Sequence, residues 1–243
     1  MRNIVVTGGS RGIGLGIARK LSASGFHAIA VARGSNAMLE AAIAEAQGGA
    51  GQISFFSQDL AEIDMLQPAA RALRQAFGPI YGIVNNAGIG TSGLLCNMRE
   101  ADIERLTRMN IISPMVLTKH LLRHMLTARS GRIVNISSIV ALTGYQGLSA
   151  YSATKSAMLG FTRSLAREVG SLGITVNAVL PGFVDTEMTL ELDEAARRKI
   201  AHRSALGRLT AVEDIANAVD YLISDQAQGI TGSTMVVDAG ATA

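Results

Sequence analysis

The sequence predicts an α/β fold, a single domain in which about seven parallel strands form a doubly wound sheet with helices on both faces. Three observations predict it. Short apolar segments typical of strands alternate with longer segments in which apolar residues recur three and four positions apart. The 243 residues suit one large domain or two small ones, and no linker or change of composition divides them. A glycine-rich segment directly follows the first apolar segment.

The predicted elements follow one another along the whole chain. Strands are expected at Asn3–Thr7, His27–Ala32, Gln52–Ser57, Ile80–Asn85, Arg132–Ile136, Thr175–Leu180 and Thr234–Asp238. Helices are expected at Ile13–Ser24, Ala37–Ala46, Met65–Ala76, Ile103–Thr127, Tyr151–Val169 and Val212–Ile223. Strands this apolar are typical of a parallel sheet that is buried on both faces, because right-handed crossovers place helices there.

One segment interrupts this alternation. Residues 181–209 separate the sixth strand from the last confident helix, and so long a connection is unusual inside a compact domain. We expect it to contain short helices of its own, and we expect residues 183–208 to form a lid. Ligands of doubly wound sheets bind beyond the carboxyl ends of the strands, where this segment emerges.

Composition excludes several classes of protein. Hydrophobic residues make up 48% of the chain and charged residues 17%, which excludes a disordered polymer. The single cysteine, Cys96, cannot form an internal disulfide, so a reducing compartment is expected. No apolar segment is long enough to span a membrane, and no secretory leader precedes the first strand, so we predict a cytoplasmic protein. The net charge of +3, with 4% aromatic residues and no Trp, argues against nucleic-acid binding.

The glycine-rich segment after the first strand predicts a binding site for a dinucleotide. It reads Thr-Gly-Gly-Ser-Arg-Gly-Ile-Gly over residues 7–14 and leads into a helix. Glycines at such a turn let the backbone approach a pyrophosphate, which rests on the positive helix N-terminus. A tight turn without a ligand is the alternative. The residues expected to bind the cofactor here are Gly8, Ser10, Arg11, Gly12, Ile13 and Gly14.

The charge around this site favours NADP(H) over NAD(H). Dinucleotide folds that select NAD place an acidic residue after the second strand, against the ribose hydroxyl. Here that strand leads to Arg33, and no acidic residue occurs before Glu40. Arg11 and Arg33 can form charge-assisted hydrogen bonds with a 2′-phosphate. The alternative is that Arg33 is a solvated loop residue.

The next two strands end in further candidate cofactor contacts. Asp59 and Leu60 follow the third strand, where they would reach the adenine. Asn86, Ala87 and Gly88 follow the fourth strand, and these small residues suit close packing against the cofactor. Taken alone, this second segment is also compatible with an ordinary turn.

Tyr151 and Lys155 form the sharpest candidate for chemistry. Their spacing of four places both side chains on one helix face. An ammonium beside a phenol stabilises the phenolate and so lowers the pKa of the tyrosine from its usual value of about 10. Such a pair can give a proton to a carbonyl oxygen or take one from an alcohol. Two half-exposed residues at a helix start are the structural alternative.

Two further polar residues are predicted near this pair. Ser138 follows the fifth strand at the same edge of the sheet, where its hydroxyl could hold a substrate oxygen; it could also satisfy only its own backbone. Asn110 interrupts an apolar helix just before Pro114, which predicts a kink with a retained water. An ordinary buried amide is the alternative for Asn110.

Together these residues resemble the short-chain dehydrogenase/reductase family over essentially the whole chain. Residues 7–14 match its TGxxxGxG motif, residues 85–88 its NNAG motif, and Pro181 and Gly182 the PG after its sixth strand. Asn110, Ser138, Tyr151 and Lys155 match its Asn-Ser-Tyr-Lys tetrad. The resemblance implies a Rossmann fold and an oxidoreductase dependent on a nicotinamide cofactor.

The resemblance also implies a role for each residue. Tyr151 would be the acid/base, while Lys155 would bind the nicotinamide ribose and lower the tyrosine pKa. Ser138 would orient the carbonyl and Asn110 would hold a water in a proton relay. Pro181, Gly182, Val184 and Thr186 would lie against the nicotinamide end of the cofactor.

Within the family, the chain looks most like the β-ketoacyl-(acyl carrier protein) reductases of fatty acid biosynthesis. That resemblance implies a homotetramer and basic residues that dock the acidic carrier protein. Arg129 matches one docking position, but Leu172 stands where a second arginine is expected. Coenzyme A thioesters and small ketones therefore stay open as substrates, although residues 197–199, Arg-Arg-Lys, could compensate.

The leading interpretation is NADPH-dependent reduction of a 3-oxoacyl thioester. Reduction or oxidation of another small ketone or alcohol is the second, because this fold serves many substrates. A catalytically silent dinucleotide sensor is a third, which the complete tetrad disfavours. No metal site is expected, because the four histidines form no cluster with acidic residues: His27, His120, His124 and His202.

Overall fold

The computed structural model describes residues 1–184 and 194–243, with the side chains of residues 194–197 left out of account. All seven strands join in one parallel sheet in the order β3-β2-β1-β4-β5-β6-β7. The strands are β1 Asn3–Thr7, β2 His27–Ala32, β3 Gln52–Ser57, β4 Ile80–Asn85, β5 Gly131–Ile136, β6 Ile174–Pro181 and β7 Thr234–Val237. The α/β class, the parallel sheet and the doubly wound order are thus confirmed.

The helices connect successive strands on the two faces of this sheet. They are α1 Gly12–Ala23, α2 Ala37–Ala46, α3 Leu66–Phe77, α4 Glu100–Thr107, α5 Ser113–Ala128, α6 Val140–Thr143, α7 Ser149–Val169, α8 Glu194–Arg203 and α9 Val212–Ile223. Strands β1, β5 and β6 are buried along their whole length, and β4 is buried except at Tyr81, because helices cover both faces. The order of strands reverses between β1 and β4, and ligands of such sheets bind at that point.

The single helix predicted over Ile103–Thr127 is wrong. The structure has α4, a π-helical turn at Arg108–Ile112 and then α5. Pro114 lies in the first turn of α5 and has no backbone N–H to continue the α-helical pattern. Asn110 lies inside the π-helical turn, so the predicted interruption of the helix at this residue is confirmed. Such turns are frequent at functional sites.

The connection after β6 is described only at its two ends. Val184 pairs with Thr210 in an isolated parallel bridge, and α8 lies between them. A short helix inside the predicted lid, residues 183–208, is therefore confirmed. Thr186 and its neighbours, residues 185–193, lie outside the described residues.

Candidate active site

The loop between β1 and α1 forms a tight cradle at the carboxyl edge of the sheet. Gly8 and Gly12 adopt the left-handed conformation, with φ of +66° and +53°, and Gly8 N donates to Val31 O at 2.8 Å. A Cβ at Gly14 would overlap the carbonyl oxygen of Gly8 and lie 2.6 Å from the Asn86 amide nitrogen. The backbone of α1 therefore packs directly against its own loop, with no room for a side chain.

The cradle fits the pyrophosphate of a dinucleotide. The first N–H groups of a helix have no partner within it, and here the Arg11 side chain does not cap them. The first turn of α1 also lacks acidic residues, so nothing there repels an anion. Gly12, Ile13 and Gly14 would offer backbone N–H groups to the phosphates, and Gly8 and Ser10 would line the loop.

Asn86 joins the ends of β1 and β4 beneath this cradle. Its side chain donates to Thr7 O at 2.9 Å, and its backbone N–H donates to Thr7 Oγ1 at 2.9 Å. Ala87 N donates to the same hydroxyl at 3.0 Å. The structure thus brings Asn86 and Ala87 beside the glycine loop. Sequence reasoning missed that Thr7 anchors them.

The two predicted phosphate-binding arginines lie on loops that one residue joins. Arg11 and Arg33 are both exposed, at the start of α1 and after β2. The Asn36 side chain donates to Ser10 O at 3.0 Å and accepts from Leu39 N at 3.0 Å, which caps α2. Asn36 therefore holds the two loops together. Its cap role had a sequence signal in the helix start at Ala37, whereas its contact with Ser10 had none.

The third strand leads to the other side of the cradle. Asp59 accepts a hydrogen bond from Ala61 N at 2.9 Å, and Leu60 is buried in the core beside Val31. Arg108, in the π-helical turn, donates to Ala61 O at 3.0 Å. The Asp59–Leu60 loop is thereby connected to the segment that contains Asn110.

The residues of the predicted tetrad come together at the carboxyl ends of β4 and β5. Tyr151 and Ser138 are hydrogen-bonded to each other, and Lys155 Nζ lies 5.7 Å from the centre of the Tyr151 ring. Lys155 is buried and donates to Ile136 O at 3.0 Å. Gly88 faces the same point, because a Cβ there would lie 3.5 Å from Lys155 Nζ.

Asn110 is buried behind Lys155 and has partners on two segments. Its amide nitrogen donates to Ile89 O at 2.9 Å and to Thr154 Oγ1 at 3.1 Å. Its carbonyl oxygen accepts from Ile89 N at 2.9 Å. Asn110 therefore clamps the loop after β4 to α7. Thr154, which completes the clamp, was missed because nothing in its sequence surroundings distinguishes it from other helical threonines.

Burial is the main cause of the pKa shifts of Tyr151 and Lys155. Burial raises the pKa of Tyr151 to about 12, and the hydrogen bond with Ser138 opposes this rise. Burial also lowers the pKa of Lys155 to about 8. The expected lowering of the tyrosine pKa by Lys155 is therefore not observed: loss of hydration disfavours the phenolate and the ammonium alike.

A line of buried polar side chains supports the site from below. Asn85 donates to both Thr118 Oγ1 at 2.9 Å and Asn135 Oδ1 at 2.8 Å. Asn135 in turn donates to Thr162 Oγ1 at 2.8 Å. These bonds connect β4 and β5 to α5 and α7, so the helix that contains Tyr151 is fixed against the sheet.

The end of β6 closes the far side of the site. Gly182 N donates to Val237 O at 2.9 Å, and a Cβ at Gly182 would lie 2.7 Å from the Asp238 side chain. The PG pair therefore requires glycine for close contact with the end of β7. Pro181 and Val184 are buried here, as a wall beside a nicotinamide would be.

Neither a metal-binding cluster nor a membrane-spanning helix occurs in the described part of the chain. Within residues 1–184 and 194–243, no three His, Cys, Asp or Glu side chains come close enough to hold a metal ion. Within the same residues, no helix combines the length and the apolar character that crossing a membrane requires.

A parallel sheet with a glycine cradle at its switch point, beside a Ser-Tyr-Lys cluster, defines a dinucleotide-dependent oxidoreductase. The sequence profile of the family described as short chain dehydrogenase matches residues 2–197. This chain belongs to that family. It is an oxidoreductase that acts on CH–OH or C=O groups, and its cofactor is a nicotinamide dinucleotide.

Individual relatives agree with this assignment. The chain is 42% identical to the 3-oxoacyl-[acyl-carrier-protein] reductase of Pseudomonas aeruginosa over 239 residues, which cover 97% of this chain and 95% of that protein. It is 40% identical to the enzyme of the same name from Escherichia coli over 237 residues, with the same shares covered. Among solved structures, a short-chain dehydrogenase/reductase from Serratia marcescens aligns with a TM-score of 0.91 and 34% identity, over 100% of this chain and 98% of that one.

Proposed function

We propose that this protein reduces a 3-oxoacyl thioester to the 3-hydroxyacyl form with NADPH. The observation that carries the proposal is the Ser138–Tyr151–Lys155 cluster at the switch point of the sheet, in a chain whose 40–42% identical relatives are 3-oxoacyl-[acyl-carrier-protein] reductases. When bound, the nicotinamide supplies the hydride for the carbonyl carbon. The chain supplies binding, orientation and the proton.

Tyr151 is the proton donor in this proposal. With a pKa of about 12 it stays protonated at neutral pH, so it can donate a hydrogen bond, and then its proton, to the carbonyl oxygen. Ser138, hydrogen-bonded to Tyr151, holds the same oxygen in line. Negative charge that develops on the oxygen is stabilised by both hydroxyls.

Lys155 stabilises the phenolate that is left after proton transfer. Its Nζ lies 5.7 Å from the Tyr151 ring centre, and its bond to Ile136 O fixes its direction. The ammonium has three N–H donors. The two that do not bond to Ile136 O can reach the ribose hydroxyls and Tyr151. Asn110 keeps the loop after β4 in place, so that Gly88 lies beside the ammonium.

The coenzyme is proposed to be NADP(H). Arg11 and Arg33 are exposed on the two loops that Asn36 joins, and the first turn of α1 contains no acidic residue. A phosphate on the adenosine ribose would lie between these cations. We also propose a cytoplasmic homotetramer, by analogy with the family, and leave the carrier group of the thioester to experiment. Arg129, one predicted docking residue, donates to Ser171 O at 3.2 Å.

The direct test is oxidation of NADPH and of NADH with acetoacetyl-coenzyme A. We expect NADPH-dependent turnover, and a loss of about 10²- to 10⁴-fold in kcat for Tyr151→Phe, which removes the proton donor. Tyr221→Phe, a partly exposed tyrosine on α9, is the matched control and should retain full activity. Binding of NADPH without turnover of the thioester would sink the proposed substrate and favour another ketone or alcohol.

Arg33→Ser tests the coenzyme separately. Loss of a charge-assisted hydrogen bond should lower kcat/KM for NADPH by roughly 10- to 100-fold, while kcat/KM for NADH changes little. Arg105→Ser, an exposed arginine on α4, is the control for the change of net charge. A wild-type preference for NADH would show that Arg33 is a solvated loop residue.

A further inference from the structure

Two uncharged segments flank the reacting residues. Residues 86–98 and 137–154 contain no Asp, Glu, Lys, Arg or His. Just beyond the earlier segment, Arg99 is paired with Asp102, to which it donates two hydrogen bonds at 2.8 and 3.1 Å, and Glu100 adds an exposed carboxylate. Apart from the buried Lys155, these two segments therefore bring no charged side chain to the surroundings of Ser138 and Tyr151.

These two segments are joined into one surface beside Tyr151. Gly93 N donates to Gly147 O at 2.9 Å. Helix α6 is attached to the first turns of α7, since Ser152 Oγ donates to Val140 O at 2.7 Å and Ser156 Oγ donates to Ala141 O at 3.0 Å. The loop after β4 and helix α6 thus form a continuous rim around the residue that donates the proton.

The rim exposes large apolar side chains. Leu94, Leu95, Leu142 and Tyr145 are each more than half exposed, and we call these four residues the apolar rim. The Tyr145 ring also contacts the Phe183 ring edge-on, with centres 6.0 Å apart, at the end of β6. Single exposed apolar residues are ordinary, whereas a group of them around a reaction centre marks a surface that binds something apolar.

We infer that the apolar rim binds the hydrocarbon chain of the substrate, so that the enzyme prefers 3-oxoacyl thioesters with medium or long, uncharged acyl chains over acetoacetyl thioesters. This inference rests on the proposed function and deepens it. A chain that continues beyond the carbonyl bonded to Ser138 and Tyr151 leaves the site over these side chains. A chain that ends in a carboxylate or phosphate would lose hydration there without gaining a cation from the two uncharged segments.

The test is a series of 3-oxoacyl-coenzyme A substrates with four, six, eight and ten carbons, at saturating NADPH. Full burial of one methylene increases affinity about fourfold. On an open rim we expect about half of that free energy, which is about twofold in affinity per carbon. From four to eight carbons the affinity should therefore increase roughly tenfold or more. The gain should appear in KM, with kcat unchanged within about twofold, because the rim does not touch the reacting atoms. An eight-carbon chain with a terminal carboxylate should lose this gain, and its methyl ester should recover it.

Variants test whether the rim is responsible. Leu142→Ser with Tyr145→Ser should flatten the dependence on chain length by raising KM for the eight-carbon substrate, while turnover of acetoacetyl-coenzyme A stays unchanged. That retained activity shows that the double variant folds. The matched control is Met38→Ser with Met65→Ser, two methionines that are also about half exposed but lie on α2 and before α3. This control should keep the full dependence.

Three outcomes overturn the inference. Equal kcat/KM for all chain lengths in the wild type overturns it alone and leaves the proposed function in place. A rim variant that keeps the wild-type dependence on chain length but changes the oligomeric mass shows that a second copy of the chain covers these side chains. Absence of turnover for every thioester removes the proposed function, and the inference falls with it.

Discussion

The two edges of this sheet use their polar side chains differently. At the amino edge, Asn3 donates to Phe77 O at 2.6 Å and to Pro79 O at 2.9 Å, so its oxygen faces His27 Nδ1 at 2.9 Å. The other ring nitrogen of His27 lies 2.8 Å from Ser54 Oγ. Every polar group in this set has a partner, and β1, β2 and β3 are bound together by them.

At the carboxyl edge, the polar groups are held in place but do not use all of their hydrogen-bonding capacity. Lys155 is buried, and Ile136 O accepts one of its three donors. Tyr151 shares a hydrogen bond with Ser138. Burial without an ionic partner destabilises the charged form of Lys155, as its lowered pKa shows. The amino edge therefore contributes stability, whereas the carboxyl edge gives up stability for chemistry.

Lys155→Met, at the carboxyl edge, should have the largest effect on activity. We expect kcat/KM to fall about 10²- to 10⁴-fold, because the phenolate loses its counter-charge. We also expect the free energy of unfolding at pH 7 to rise by about 1 kcal/mol. A pKa lowered from 10.5 to about 8 is a penalty of roughly 3 kcal/mol, and the lost hydrogen bond to Ile136 offsets most of it.

The size of the effect of Lys155→Met on stability depends on pH. Between about pH 8 and 10.5 the unfolded chain binds a proton at Lys155 that the folded chain lacks, so this residue's penalty disappears as pH rises through that window. The advantage of Lys155→Met in urea denaturation should therefore shrink from pH 7 to pH 10. A variant that is less stable than the wild type at pH 7 would contradict the cost assigned to the carboxyl edge.

Gly14→Ala should have the next largest effect. The added Cβ would overlap Gly8 O, which is backbone and cannot turn aside, so the cradle must shift at a cost of about 1–3 kcal/mol. The affinity for NADPH, measured by fluorescence titration, should fall roughly 10- to 100-fold. Gly170→Ala is the matched control: its φ is −60° and its added Cβ meets nothing within 4 Å. Equal NADPH affinities for the two variants would show that the cradle tolerates a side chain.

Most of the fold could be predicted because its signals are local. Alternating apolar segments placed β1 to β4, α2 and α9 at the bounds that the structure has. The break between α4 and α5 could not be placed by the same means. It depends on Asn110 reaching Ile89 and Thr154, which lie 21 and 44 positions away. A periodic pattern predicts the continuous helix Ile103–Thr127, because periodicity contains no information about such contacts.

The residues of the site also differ in whether their sequence signal is local. Residues with a motif around them, such as Tyr151 and Lys155, could be named from spacing alone. Asn36 and Thr7 could not be assigned their roles, since their contacts with Ser10 and Asn86 exist only when separate loops meet. Spacing also predicted a lowered pKa for Tyr151, whereas the three-dimensional burial of the pair raises it. Burial of a residue is a property of the fold rather than of its neighbours in the chain.

Asn3→Ala, at the amino edge, should lower the stability of the protein and leave its activity unchanged. The substitution leaves His27 Nδ1 and the carbonyl groups of Phe77 and Pro79 without their partner, at a cost of about 1–2 kcal/mol in the free energy of unfolding. Activity per folded molecule should be unchanged, because these contacts lie at the opposite end of β1 from Gly8. Urea denaturation and kcat/KM measured on the same preparation check both parts. A change in kcat/KM with no change in stability would reverse the assignment of the two edges.

The pH dependence of reduction concerns the carboxyl edge alone. Lys155 is protonated below a pKa of about 8 and Tyr151 keeps its proton up to about 12, so the reacting pair is complete at neutral pH. Above pH 8 the ammonium is lost first, and kcat for reduction should fall by up to tenfold per pH unit. A 2,2-dimethyl-3-oxobutyryl thioester, which cannot enolise between its two carbonyls, separates this decline from ionisation of the substrate. A rate that stays constant from pH 7 to 10 with that substrate would mean that the charge on Lys155 does not assist Tyr151.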